Sequence, residues 1–129
     1  MADSADRDGA FNHVGICVSD LERSRRFYEE VLQFRYWWEL DVPDEAAGQL
    51  LQLPLPLGTK AVYLVHDRFV LELIHFAEAR TRPAPKRVMN NPGLTHLSIA
   101  VAGIPGILEK VLPHVDKSSK TPTWVDRPS

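Results

Sequence analysis

The chain has 129 residues, 44% of them hydrophobic and 25% charged, with a formal net charge of -2. That is enough for one globular domain with a buried core, and so small a charge gives no electrostatic case for nucleic acid or an anionic membrane as partner. No apolar run reaches the roughly 18 residues a membrane-spanning helix needs, the first stretch does not read as a signal peptide, and the single cysteine, Cys17, excludes an intrachain disulfide and suits a reducing, cytoplasmic setting.

Residues 1–9 are small and polar and read as a frayed end. Residues 11–18 alternate apolar with small or polar side chains, which predicts a strand. Ser19-Asp20-Leu21-Glu22 has the form of a capping box with Ser19 as the cap, so a helix is expected to about Leu32, burying Leu21, Phe27, Tyr28, Val31 and Leu32. Arg23, Arg25 and Arg26 lie there among Glu22, Glu29 and Glu30, a solvated face. Phe34–Leu40 reads as a strand, 41–48 as a loop or short helix, and 49–53 as strand or helix. Pro54, Pro56 and Gly58 then predict a turn. Lys60–Val65 and Phe69–Phe76 read as strands joined by a tight His66-Asp67-Arg68 connection. Residues 77–93, with Pro83, Pro85 and Pro92, read as a linker in which Lys86 and Arg87 are most simply solvated. A strand over 94–101 and a helix over 104–112 complete the pattern.

One short pattern occurs twice. Phe11-Asn12-His13-Val14-Gly15-Ile16-Cys17-Val18 returns as Leu94-Thr95-His96-Leu97-Ser98-Ile99-Ala100-Val101. In a strand, Val14, Ile16 and Val18 face one way and His13, Gly15 and Cys17 the other, and the second copy repeats that division. Each histidine thus shares a face with small residues, where a ligand has room. Two equivalent histidines suggest a site built around an internal pseudo-two-fold axis.

Glu72 stands in the apolar run Phe69-Val70-Leu71-Glu72-Leu73-Ile74-His75-Phe76. Burying a carboxylate there costs several kcal/mol unless a cation or metal compensates it, and the alternative is an edge strand with Glu72 in water. His75 falls on the opposite face by parity and reads as structural. His13, Glu72 and His96 form a two-histidine, one-carboxylate set suited to a divalent metal ion such as Zn, Ni, Co, Mn or Fe, with positions left open for substrate.

The opening Asn12–Glu22, the continuation Phe27–Leu32, Leu71-Glu72-Leu73-Ile74-His75 and Gly93–Val101 resemble the vicinal oxygen chelate superfamily, which includes glyoxalases, extradiol dioxygenases and bleomycin-binding proteins. The resemblance implies an α+β fold in which paired βαβββ modules form a curved, open mixed sheet around a metal, and often a homodimer. His13 and His96 match the ligands on the first strand of each module, and Glu72 the ligand on the last strand of the first. On this reading 1–129 is one such domain, with 11–76 the first module, 77–93 the linker and 94–129 a partial second module. The implied function is metal-dependent chemistry on a small substrate chelated through neighbouring oxygens, of lyase, isomerase or dioxygenase type. Glu72 would then move a proton. The alternative is a non-catalytic small-molecule binder of the bleomycin-resistance kind, with Tyr36, Trp37 and Trp38 as candidate aromatic walls.

Two departures from the family pattern stand out. Gln33 sits where the family commonly has glycine after the first helix, a position that asks for a left-handed backbone. No fourth ligand can be assigned, because the carboxylates beyond His96 are Glu109 in a predicted helix and Asp116 and Asp126 in no convincing strand. A C-terminally truncated second module is the simplest expectation.

Overall fold

The computed structural model describes residues 9–79, 82, 85–86 and 88–114. In chain order these form β1 (Val14–Cys17), α1 (Leu21–Arg26) running into a π-helical turn (Phe27–Val31), β2 (Arg35–Val42), α2 (Asp44–Leu51), β3 (Thr59–His66), β4 (Phe69–Phe76) and α3 (Ile104–Val111), the last followed by a 3-10 turn at Leu112–His114. The fold is α+β, built on one open mixed sheet of four strands in the order β1-β4-β3-β2. β1 runs parallel to β4, while β3 is antiparallel to both β4 and β2. The β1–β4 crossover places α1 on one face.

That face is the core. Leu71 and Leu73 of β4, Val62 and Leu64 of β3, and Phe34 are fully or nearly fully buried together, and Val14, Ile16, Leu21, Tyr28 and Leu32 close over them. The alternation read from the sequence explains this, since each strand sends every second side chain the same way. The helix is capped by Asp20, not Ser19: the Asp20 carboxylate accepts from the Arg23 N–H at 3.0 Å. Asp and Ser are equally good caps, and Asp20 has the extended backbone the position requires. The expected helix to Leu32 loosens into the π turn from Phe27. Gln33 then takes the left-handed conformation, with φ 60, and the Phe34 N–H closes onto the Tyr28 carbonyl at 2.9 Å.

Residues 44–51 resolve the ambiguity of that stretch in favour of a helix. Asp44 at its start accepts from the N–H groups of Leu57 and Gly58 at 3.2 and 3.0 Å, folding the proline-rich turn back beneath α2 and burying Leu57. Gly58 has φ +61 and a Cβ there would lie 2.9 Å from Glu78 Cγ, so the turn needs glycine.

The expected strand over 94–101 does not form. These residues carry no ladder hydrogen bonds and are mostly exposed, apart from the half-buried Ile99, which packs against the core. A strand exists only by pairing. β1 has β4 beside it, whereas among the described residues the second copy has no equivalent neighbour. α3 forms as expected and packs on the π turn. Residues 1–8 and 115–129, including Asp116 and Asp126, lie outside the described residues, as do Arg87 and Pro83 of the expected linker. Among the described residues no helix is long and apolar enough to cross a membrane.

Candidate functional site

The sheet face opposite α1 carries the polar cluster. Glu72 lies across from Gly15 of β1 and Tyr63 of β3. The bare backbone of Gly15 forms the floor under the carboxylate, with Glu72 Oε1 only 3.4 Å from where a Cβ would stand. The Tyr63 hydroxyl donates to Glu72 Oε2. His13, just before β1, brings Nε2 to 3.5 Å from the same oxygen and sets its ring edge-on to Tyr63, the centroids 5.5 Å apart. The Glu72 side chain is 13% exposed and that of His13 is 36% exposed, so the carboxylate is sunk and the imidazole stands at the rim.

Desolvation, reinforced by the hydrogen bond to Glu72 and its charge, pushes the Tyr63 phenol up to about 12. Tyr63 is therefore a neutral donor across the physiological range. His13 Nδ1 lies 2.6 Å from Asn12 Oδ1. In the tautomer that donates to Asn12, Nε2 presents a lone pair to Glu72, and two acceptors facing each other call for a proton or a metal ion between them. Donors at metal bonds of about 2.1 Å in tetrahedral geometry stand about 3.4 Å apart, close to the 3.5 Å seen here. The pair therefore fits a divalent cation as two of its ligands.

His96 is not brought to that pair. It is exposed, with Nδ1 2.9 Å from Thr95 Oγ1, and the segment after it leans on the α1-side core through Ile99. Among the described residues no group of three or more His, Cys, Asp or Glu side chains is gathered as a metal site. His75 points away from Glu72, as parity required, and its Nδ1 lies 3.1 Å from the Val18 carbonyl.

The sequence reading missed Tyr63. The signal was present: a two-residue turn at Asp67-Arg68 fixes the hairpin register, and counting back from it sets Tyr63 against Glu72. The aromatic triplet of β2 divides in a way that simple alternation does not give. A bulge between Tyr36 and Trp38 inserts Trp37 as an extra residue. Trp38 stacks on Tyr63, with centroids 4.5 Å apart and planes 3° from parallel, and Trp37 stands edge-on to both. Tyr36 departs from the expected wall: its ring lies under the Arg25 guanidinium and its hydroxyl donates to Glu39.

Beside the cluster, a cavity of about 180 Å³ runs between α2 and the sheet, lined by Ala47, Leu50 and Leu51 above and by Thr59, Ala61, Tyr63 and Glu72 below. It is apolar except at its two ends. The site thus offers a carboxylate, a neutral phenol donor and an imidazole beside an apolar recess.

Comparison with known proteins bears on the fold and family of the chain. None of the curated proteins matches the chain. Among solved structures, a glyoxalase family protein from Bacillus cereus aligns over 81% of this chain and 70% of its own, at 20% identity and a TM-score of 0.67. A glyoxalase family protein from Enterococcus faecalis aligns over 81% and 71%, at 21% identity and a TM-score of 0.55. A glyoxylase/bleomycin resistance protein/dioxygenase domain from Frankia sp. aligns over 81% and 67%, at 22% identity and a TM-score of 0.54. At such identities these likenesses carry the fold alone. The family model for the Glyoxalase/Bleomycin resistance protein/Dioxygenase superfamily matches residues 10–123, and the chain belongs to that superfamily.

Proposed function

We propose that this chain is an enzyme acting on a small molecule that carries two neighbouring oxygens, and that its chemistry is proton transfer at the carbon beside them. The observation that carries the reading is Glu72, a carboxylate sunk between a phenol donor and an imidazole on a mostly apolar sheet face. A substrate oxygen that takes the Tyr63 hydrogen bond frees Glu72 Oε2. The carboxylate then accepts the proton from the neighbouring carbon, and Tyr63 donates to the oxygen on which negative charge develops. Returning the proton from Glu72 to a different atom completes an isomerisation.

His13 and Glu72 are the donors offered to a divalent metal, with His96 proposed as the third. Such an ion, when bound, would polarise both substrate oxygens as a Lewis acid. Because those three are not gathered within the described residues, no step above depends on it. A homodimer is proposed on a separate ground: β1 lies at the end of the sheet order, and its outer edge has no ladder partner among the described residues.

The test is metal content by mass spectrometry on protein purified without chelator or affinity metal, paired with titration of Zn, Ni, Co, Mn and Fe. Stoichiometric uptake that disappears in His13→Ala, Glu72→Gln and His96→Ala supports the three-ligand proposal. Uptake unchanged in all three variants, or none in the wild type, sinks the metal part. The proton-transfer part is tested by solvent deuterium entering 2-hydroxyketones, which must require Glu72.

A further inference from the structure

The strand register lines up one row of residues across the whole sheet. Trp38 of β2 lies opposite Tyr63 of β3, Tyr63 opposite Glu72 of β4, and Glu72 opposite Gly15 of β1. Residues directly opposite one another share a face, so the whole row stands on the site face. It runs from an indole through a phenol and a carboxylate to no side chain at all. Glu72 Oε1 lies 3.4 Å from where a Gly15 Cβ would stand, so the carboxylate uses the space the glycine leaves. At the other end the Trp38 ring stacks flat on Tyr63, with centroids 4.5 Å apart and planes 3° from parallel. The His13 ring meets Tyr63 edge-on at 5.5 Å.

A strand tyrosine can swing its ring about two torsions, and its hydroxyl reaches a carboxylate on the neighbouring strand in only part of that swing. Trp38 remains 41% exposed on the edge strand, so core burial does not account for it. The bulge between Tyr36 and Trp38 is what brings it to Tyr63. With regular alternation after Tyr36, Trp37 would lie opposite Tyr63 and Trp38 would turn to the α1 side. We infer that Trp38 is a positioning residue: its flat face holds the Tyr63 ring toward β4, so that the hydroxyl donates to Glu72. Its bearing on catalysis rests on the function proposed above; its geometry rests on the stack alone.

The test is NMR of the whole chain with isotope-labelled tyrosine Cζ, the Tyr63 signal assigned by Tyr63→Phe. That signal responds to what the hydroxyl donates to, so Glu72→Gln should move it when Trp38 is present. In Trp38→Leu, which keeps an apolar side chain without a flat ring, the response to Glu72→Gln is expected to vanish. Trp38→Met serves the same comparison should the leucine variant not fold. In Trp38→Phe, which restores a flat ring, the response should persist. Trp37→Leu, at the more exposed and edge-on tryptophan, should leave it in place. A merely structural role for Trp38 would lower the Tm of Trp38→Leu without touching this response. A response that survives Trp38→Leu, or that Trp37→Leu abolishes equally, overturns the inference, as does no response with Trp38 present. Solvent deuterium uptake by a 2-hydroxyketone reads the catalytic bearing separately. There kcat should fall by up to about a hundredfold in Trp38→Leu, the cost of a displaced donor, and recover in Trp38→Phe. Uptake absent from the wild type removes the proposed reaction, and the Tyr63 signal still decides the positioning.

Discussion

The two copies of the histidine pattern meet opposite fates. Phe11–Val18 contains a strand, and its histidine reaches a carboxylate. Leu94–Val101 has the same alternation but forms no strand, and among the described residues its histidine hydrogen-bonds the neighbouring threonine. The alternation is common to both, although only the histidine, the isoleucine and the final valine recur in place, and the difference lies in what stands alongside. β1 pairs through Val14–Cys17 with Leu71–Ile74, a segment that holds the fully buried Leu71 and Leu73. Of the second copy, Ile99 is the residue packed against the core among the described residues. Strand propensity is a willingness to pair, and the tertiary neighbour decides whether it is used.

The largest expected effect sharpens that contrast through packing. Leu73→Ala or Leu71→Ala, both at fully buried positions, should cost about 2–5 kcal/mol in urea unfolding. Ile99→Ala, at a half-buried position, should cost about 1 kcal/mol or less. Equal costs would mean that the second segment is as firmly built as the first.

Next in size is the site itself. His13→Ala and Glu72→Gln should each lower affinity for a divalent cation at least tenfold, as loss of one of two facing donors implies. His96→Ala reads whether the second copy contributes: a matching loss places it in the site, and no change leaves it outside.

A third measurement concerns alkaline pH. The Tyr63 phenol is raised to about 12 in the folded chain, above the ordinary value of about 10. The folded state therefore holds the proton longer than the unfolded one. The resulting stability is complete below pH of about 10 and is lost as pH climbs toward about 12. Tyr63→Phe should flatten that part of the stability–pH curve and remove the latest phase of the phenolate absorbance titration. A curve identical to the wild type would refute the raised Tyr63 phenol.

The smallest effect is local. Gln33 occupies the left-handed region with φ 60, and Gln33→Gly should stabilise the chain by about 0.5–1 kcal/mol, visible as a small shift in the urea midpoint with unchanged slope. A loss of stability would show that the glutamine side chain makes a compensating contact.

Much of this fold was legible in the sequence because period-two alternation and turn residues are local signals. Phe69–Phe76 forms over the limits its alternation predicts, and the left-handed backbone at Gln33 is what the resemblance implies at the place where the family commonly has glycine. What escaped depended on competition or on partners. Ser19 and Asp20 are equally able caps, and only backbone geometry separates them. The bulge at Trp37, which puts two consecutive tryptophans beside Tyr63 and leaves Tyr36 to Arg25, has no sequence signature. In the site, His13 and Glu72 could be nominated from residue type and face, but their meeting required the parallel pairing of strands far apart in the chain. Tyr63 was hidden because a tyrosine in a strand is ordinary until the hairpin register sets it against a carboxylate.

That parallel pairing has a kinetic consequence. Tyr63 and Glu72 are joined by a tight hairpin, a contact of short sequence separation that can form early. His13 reaches them only when β1 has closed a loop of more than fifty residues, a step slower than closing a hairpin. The cluster should therefore be assembled in two stages, and its last member should also be the first to leave. Transient detachment of β1 would open the site without unfolding the hairpin, and native-state hydrogen exchange should show the amides of Val14–Cys17 losing protection well before those of Val62–Leu64.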